Sequence, residues 1–262
     1  MGKNNLKHLA FGAIAAYGLL DTASVNALDV GKLYNEASRS IVQIELVGES
    51  FEVISLGSGI IIAPGEIVTN CHVVDGKAPF IWVRHADISL PHEAKVRYRD
   101  QKRDLCQIAL VSAVSRRNWQ TVPAIADISP VGRVRVGQRV FAIGNPQGLA
   151  LTLSDGIISA LREGPSGTWY QTTAPISPGS SGGGLFDDSG WLIGITSSNK
   201  PDGQNLNFAV PAAYILELPK RSLNLAPEIP QRPPTDEEVA QVEQKAKEML
   251  KELDAMKRRL SK

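Results

Sequence analysis

GSGIIIAPGEIVTN, residues 57 to 70, decides the fold: it is a β-branched run bounded by glycine and asparagine, the composition of a strand rather than of a helix. Segments of the same character recur on both sides of it. SIVQIELVG (40–48) precedes it. APFIWVRH (78–85), AKVRYRD (94–100), LCQIALV (105–111), RVFAIGNP (139–146), LTLSDGIISAL (151–161), TWYQTTAP (168–175), WLIGITSS (191–198) and LNFAVP (206–211) follow. Each is cut off by Gly, Pro, Asn or Asp, and no long helical pattern separates them. Short strands at such intervals predict an all-β barrel or sandwich. PAAYILELPKRS (211–222) reads as a short closing helix.

The chain has 262 residues, 43% hydrophobic and 21% charged, enough to bury one large all-β domain or two smaller ones. Its formal net charge of +1 argues against nucleic acid as a partner. The local basic stretch of Arg97, Arg99, Lys102 and Arg103 carries interspersed acids and no aromatic stacking platform, so it reads as a solvated strand face. At the N-terminus, Lys3 and Lys7 precede the apolar run Leu9–Leu20, and Val25-Asn26-Ala27 offers the small residues a signal peptidase reads. Residues 1–27 are expected to be a signal peptide, with an uncleaved anchor as the alternative, and the product to be periplasmic or secreted without stable membrane insertion. APEIPQRPP (226–234) is a proline-rich linker, taken with its flank as 223–234. Thr235 and Glu238 then form a capping box. Val239, Val242, Ala246, Met249, Leu253, Met256 and Leu260 follow at alternating steps of three and four. This stripe predicts that 235–262 is an amphipathic helix, self-associating as a coiled coil or lying on its own domain.

Chemistry concentrates in three places. Of four histidines, His8 falls in the signal segment and His85 and His92 in polar, loop-like sequence, whereas His72 lies where an apolar strand ends, in IVTNCHVV. It lacks partners at any recognised metal-ligand spacing, so neither metal nor cofactor is expected. Asp104 enters another apolar strand, where a carboxylate is costly unless hydrogen-bonded. Ser181 stands in Gly179-Ser180-Ser181-Gly182-Gly183 within SPGSSGGGLF (177–186), a stretch that is either a flexible linker or a nucleophile in a tight turn. The order His, Asp, Ser on an all-β chain is one known order of the nucleophilic triad. A serine hydroxyl needs an imidazole to take its proton, the carboxylate fixes the imidazole tautomer, and the Gly179 and Ser181 amides can face a developing oxyanion.

With these motifs in view, the chain resembles the HtrA/Deg branch of the chymotrypsin-like serine proteases. GSGIII…IVTNCHVV resembles that family's glycine-rich strand and histidine turn, and AKVRYRDQKRDLCQIAL its strand leading to the aspartate. VFAIGNPQGL, LTLSDGIISAL, YQTTAPISPGSSGGGLFDDSGWLIGI and LNFAVP resemble its second barrel. The likeness covers about residues 35–212 and implies two antiparallel β-barrels, about 35–125 and 126–212, with the site between them. It implies His72 as general base, Asp104 as orienting carboxylate and Ser181 as nucleophile. A shifted alignment on QIAL would put Gln107 at the carboxylate position. Ser180 stands where digestive trypsins carry an Asp that pairs with a new N-terminus. Pro175 stands where trypsin's pocket carries its Asp, so a small apolar side chain is expected at the cleaved position, in a pocket of Pro175, Ile176, Thr196, Ser197, Asn207 and Phe208. No PDZ segment is expected, since only the linker and helix follow. If the triad forms, Cys71 and Cys106 approach each other, and either a disulfide or two buried thiols result. The implied activity is that of an exported endopeptidase acting on protein or peptide substrates. A latent protease fold recruiting partners through the terminal helix, and an esterase, are the rival readings.

Overall fold

The computed structural model describes residues 29–222 apart from 77, 113, 114, 116–118, 121, 126, 131, 146–150 and 198–205, together with 235, 237, 240, 241, 244 and 251. The expected signal segment, the proline-rich linker and every residue of the apolar stripe in 235–262 lie outside the described residues.

Twelve named strands close into two six-stranded antiparallel barrels. The first runs in the order β1 (Ile41–Val47), β2 (Val53–Ala63), β3 (Glu66–Thr69), β6 (Leu105–Leu110), β5 (Ile88–Asp100), β4 (Phe80–His85). The second runs β10 (Gly184–Asp187), β11 (Leu192–Ser197), β12 (Asn207–Pro211), β9 (Gly167–Thr172), β8 (Thr152–Gly164), β7 (Arg139–Gly144). Closure leaves neither sheet with a free edge along its whole length, which removes the usual route to edge-to-edge aggregation. The β-branched run 57–70 supplies most of β2 and all of β3, paired Ile60 to Val68 and Ile61 to Ile67 across the Pro64-Gly65 turn.

Barrel one is filled by Val42, Ile44, Ile61, Ile67, Ile108 and Leu110, all at most 1% exposed. A separate cluster crosses between the barrels: Ile41, Ile60, Val68 and Leu105 from the first pack with Phe141, Ile143, Phe186 and Ile195 from the second. Burying such side chains contributes roughly 1.5–3 kcal/mol each, so the two barrels share one apolar seam rather than touching at their surfaces. Two segments strap this seam. Helix α1 (Val30–Ala37), absent from the sequence reading, is capped by Asp29, whose Oδ1 accepts from Lys32 N at 2.9 Å. It buries Leu33 and Ala37, and Tyr34 Oη donates to Leu151 O at 3.0 Å. A second short helix, α2 (Cys71–Val74), carries His72. The expected closing helix is mostly 3-10 turns over Ala212–Glu217, becoming α-helical only in α3 (Leu218–Arg221), where Pro219 occupies the first turn.

Two expectations need correction. His85 and His92 are not in loops: they end β4 and sit within β5. His85 is 6% exposed, with Nε2 against Arg39 O at 2.9 Å. The basic stretch is not a uniformly solvated face either. Arg97 pairs with Glu66 and Arg99 with Asp75, while Arg103 is 9% exposed and anchored in the second barrel.

Candidate active site

Strand β3 delivers His72. The chain leaves Thr69 through Asn70, extended at φ −76° and ψ 148°, and turns at once into α2. Asp104 stands at the end of the turn between β5 and β6. Its φ of 52° is in the left-handed region, where a non-glycine residue costs roughly 1 kcal/mol and Asp is among the better tolerated. That conformation lets one residue serve four donors of the histidine turn. Its backbone oxygen accepts from Asn70 Nδ2 at 3.0 Å and from Cys71 N at 3.3 Å. Its Oδ1 accepts from His72 N at 3.0 Å, and its Oδ2 lies 2.7 Å from His72 Nδ1. A carboxylate only accepts, so Nδ1 bears a hydrogen, and in the neutral imidazole the lone pair then sits on Nε2. Ser197 Oγ donates to the same Oδ2 at 3.4 Å. Cys71 and Cys106 flank this contact, joined as a disulfide with Cα atoms 4.8 Å apart and both fully buried. Gln107, the alternative carboxylate position, instead donates Nε2 to Glu66 Oε2 at 2.9 Å.

The Ser181 segment is built from the opposite barrel. Ser180 N donates to Ser177 O at 2.9 Å across Pro178 and Gly179, and Gly179 has φ 93°. Proline second and left-handed glycine third make a type II turn. Relative to type I, this flips the central peptide, which carries the Gly179 N–H. The next three carbonyls are each committed. Gly179 O accepts from Ser58 Oγ at 2.8 Å. Ser180 O accepts from Thr196 Oγ1 at 2.7 Å and Gly183 N at 3.0 Å. Ser181 O accepts from Ser58 N at 2.8 Å. In a trans peptide the N–H points opposite the carbonyl, so tying Ser180 O toward Thr196 aims the Ser181 N–H the other way. Gly182, at φ 87°, has no room for a side chain: a Cβ there would stand 2.0 Å from Ser58 O and 2.2 Å from Thr69 Oγ1.

Ser58 is therefore the hinge of the site, and sequence reasoning passed over it as part of a glycine-rich strand. It is fully buried, and its hydroxyl also accepts from Asn145 N at 2.9 Å. Its neighbour Gly57 lies against Val73, the residue after His72, since a Cβ at Gly57 would stand 2.3 Å from Val73 Cγ1. The strand that holds the Ser181 turn thus also packs on the His72 turn, so both turns rest on β2.

The six expected pocket residues are placed as follows. Pro175 and Thr196 line a pocket of about 100 Å3 behind the turn, along with Ala142, Ile143, Ser154 and Ser180. Ser197 holds Asp104, Ile176 packs on the second barrel's core, and Asn207 and Phe208 pair along β12 with Thr172 and Gln171. Among the described residues, no helix is long and apolar enough to cross a membrane.

Comparison with known proteins agrees with this architecture. The family profile described as a trypsin-like peptidase domain matches residues 57–195. The chain is similar to the periplasmic serine endoprotease DegP of Salmonella typhimurium, 40% identical over 183 residues, covering 65% of this chain and 36% of the relative. It is also similar to the chloroplastic protease Do-like 1 of Arabidopsis thaliana, 34% identical over 235 residues, covering 78% of this chain and 52% of that one. The solved serine endoprotease from Yersinia pestis superposes with a TM-score of 0.61 at 30% identity, over 73% of this chain and 65% of the other. The chain spans only about a third of the length of the DegP relative. Matched over more than half its length, and built on the two barrels just described, this chain belongs to the trypsin-like peptidase family, in its HtrA/Deg-like branch.

Proposed function

We propose that this chain is an exported serine endopeptidase that cleaves protein substrates through an acyl-enzyme on Ser181. The observation that carries the reading is the 2.7 Å contact between His72 Nδ1 and Asp104 Oδ2, which leaves Nε2 as a base at the barrel junction. In the proposed reaction Ser181 Oγ attacks the scissile carbonyl while His72 Nε2 takes its proton. Asp104 keeps the imidazole in the Nδ1–H tautomer and stabilises the imidazolium. The Gly179 and Ser181 amides receive the oxyanion, each such donor being worth about 3–4 kcal/mol of barrier. His72 then returns the proton to the leaving amine, the acyl-enzyme forms, and a water activated by the same Nε2 releases the acid.

Pro175, in place of a carboxylate, supports a preference for small apolar side chains at the cleaved position, because a buried Lys or Arg would stay unpaired. Export is supported by the leader-like segment 1–27 and by the periplasmic DegP relatives. Self-association through 235–262 belongs to the same proposal; deleting that segment lowers the sedimenting mass if it holds.

The test is fluorophosphonate labelling and casein digestion of the wild type beside Ser181→Ala and Asp104→Asn. Both signals are expected to vanish in Ser181→Ala, and turnover to fall about 10^4-fold in Asp104→Asn. A wild type that neither labels nor digests would refute the proposal.

A further inference from the structure

We infer that Arg103, one residue before Asp104, is a positioning residue through which the second barrel holds the carboxylate against His72; the inference rests on the peptidase reading above. The turn between β5 and β6 is tight. Arg103 N donates to Asp100 O at 3.2 Å, and Asp104 N to Gln101 O at 3.3 Å. These overlapping turns wind the chain into the left-handed conformation of Asp104, φ 52°, which a non-glycine residue keeps only if its surroundings enforce it. The enforcement comes from across the molecule. Arg103 Nε donates to Ser166 O at 2.8 Å, on the turn between β8 and β9. Its Nη1 donates to Glu217 Oε2 at 2.6 Å, and its guanidinium lies over the Tyr214 ring at 3.7 Å. Tyr214 is itself fixed, its Oη accepting from Thr168 N at 2.9 Å.

The same closing segment grips the start of the turn. Arg221 Nε donates to Asp100 Oδ2 at 3.0 Å, and Ser222 Oγ accepts from Arg99 N at 2.6 Å. Residues 214–222, the closing segment that follows the second barrel, thus hold both ends of a first-barrel turn whose last member is the carboxylate. A guanidinium suits this place because its planar fork serves two acceptors while its face stacks on an aromatic ring, whereas an ammonium offers only a point charge. The Arg103 side chain reaches Ser166, Glu217, Tyr214 and Asp100 rather than His72, so its effect runs through the orientation of the Asp104 peptide. Removing it leaves Asp100 paired with Arg221, so the turn survives but loses its anchor.

The experiment compares Arg103→Ala, Arg103→Lys and Glu217→Gln with the wild type. Its readouts are kcat and KM on a peptide substrate, and the low-field proton resonance of the Nδ1–H that bonds the carboxylate. Urea denaturation reports the folded fraction of each. Arg103→Ala is expected to lose about 10–100-fold in kcat with KM nearly unchanged, the size of effect that small misplacements of catalytic groups produce. Its low-field resonance is expected to broaden or disappear while the protein stays folded. Arg103→Lys and Glu217→Gln should fall between, and guanidinium ion at tens of millimolar should restore several-fold activity to Arg103→Ala alone. Ile193→Val, buried in the second barrel away from this turn, serves as the control for general loosening and should keep the wild-type kcat and resonance.

Wild-type kcat and an intact resonance in folded Arg103→Ala would overturn the inference. So would a loss that follows only the unfolded fraction and is not restored by Lys or guanidinium. Failure of the peptidase reading is separable: a wild type that does not label or turn over refutes that reading, while the resonance still reports whether Arg103 holds Asp104 on His72.

Discussion

Replacing both Cys71 and Cys106 by Ala is expected to weaken folding by about 4 kcal/mol while leaving the folded fraction reactive. The bridge spans 35 residues of sequence, and closing a loop of that size removes roughly 12.7 cal/mol/K from the unfolded chain. At 298 K this amounts to about 3.8 kcal/mol. Alanine is the right replacement because both sites are fully buried and serine would bury two hydroxyls there. With a urea m-value of about 2 kcal/mol/M, the midpoint should fall by about 2 M under non-reducing conditions. Activity should behave differently. The hydrogen bonds from Asn70 Nδ2, Cys71 N and His72 N to Asp104 do not involve sulfur, so the His72–Asp104 contact persists without the bridge. Labelling of Ser181 by a fluorophosphonate, measured against urea, should therefore track the folded fraction in both proteins. A midpoint shift below about 0.5 M would refute the entropic reasoning. Loss of labelling in fully folded double variant would show instead that the sulfurs hold the histidine in place.

Two further outcomes follow from buried polar groups. Ser58→Ala strips the donor from Gly179 O and the acceptor from Asn145 N, so it is expected to cost about 1–3 kcal/mol in stability and to lower kcat about tenfold or more with KM little changed; steady-state kinetics with an unchanged kcat would contradict the role given to Ser58. His92 is held below its ordinary value of 6.5 by burial, its Nδ1 against Ser115 Oγ at 2.7 Å and its Nε2 enclosed. The folded state thus resists a proton that the unfolded state accepts, so stability is full above pH 6.5 and declines as pH drops through that value toward the lower folded one. Urea midpoints at pH 7.5 and 5 should converge more closely for His92→Gln than for the wild type, and an equal acid loss in both would refute the assignment.

Much of the fold was legible because barrel strands declare themselves locally. The runs around Ile60, Ile108, Ile143 and Ile195 are apolar, β-branched and punctuated, and the structure closes them into the expected barrels. His72 and Asp104 were singled out because each is a polar residue set where an apolar strand ends or begins, and Ser181 because it stands in a run of glycines that either links or turns tightly. Ser58 was not, because a serine between glycines looks like spacing; only the tertiary approach of β2 to the Ser181 turn shows its hydroxyl serving two backbone groups. Arg103 was misread for a related reason. A basic residue among acids on a strand looks solvated, and its burial depends on a ring 111 positions along the chain arriving beneath it. Pairings at such separation leave no periodic trace, whereas the strand pattern repeats every two residues.

The site's construction also explains why both barrels are needed. The first barrel supplies His72 and Asp104, yet the Asp104 turn is held by Ser166, Tyr214 and Glu217, and its carboxylate by Ser197, all from the second. The second barrel supplies the Ser181 turn, yet that turn's carbonyls rest on Ser58 of the first. Each half of the proposed site is positioned by the other half's scaffold. A left-handed aspartate and a type II turn are both conformations that isolated chains leave readily, so neither half holds its geometry until the apolar seam of Ile60, Leu105, Phe141 and Ile195 has closed. Because the same closure that buries the seam also orients the carboxylate and the amides, loosening the inter-barrel contact anywhere along Arg103, Ser58 or Ser197 should lower turnover even in the fraction of molecules that stays folded.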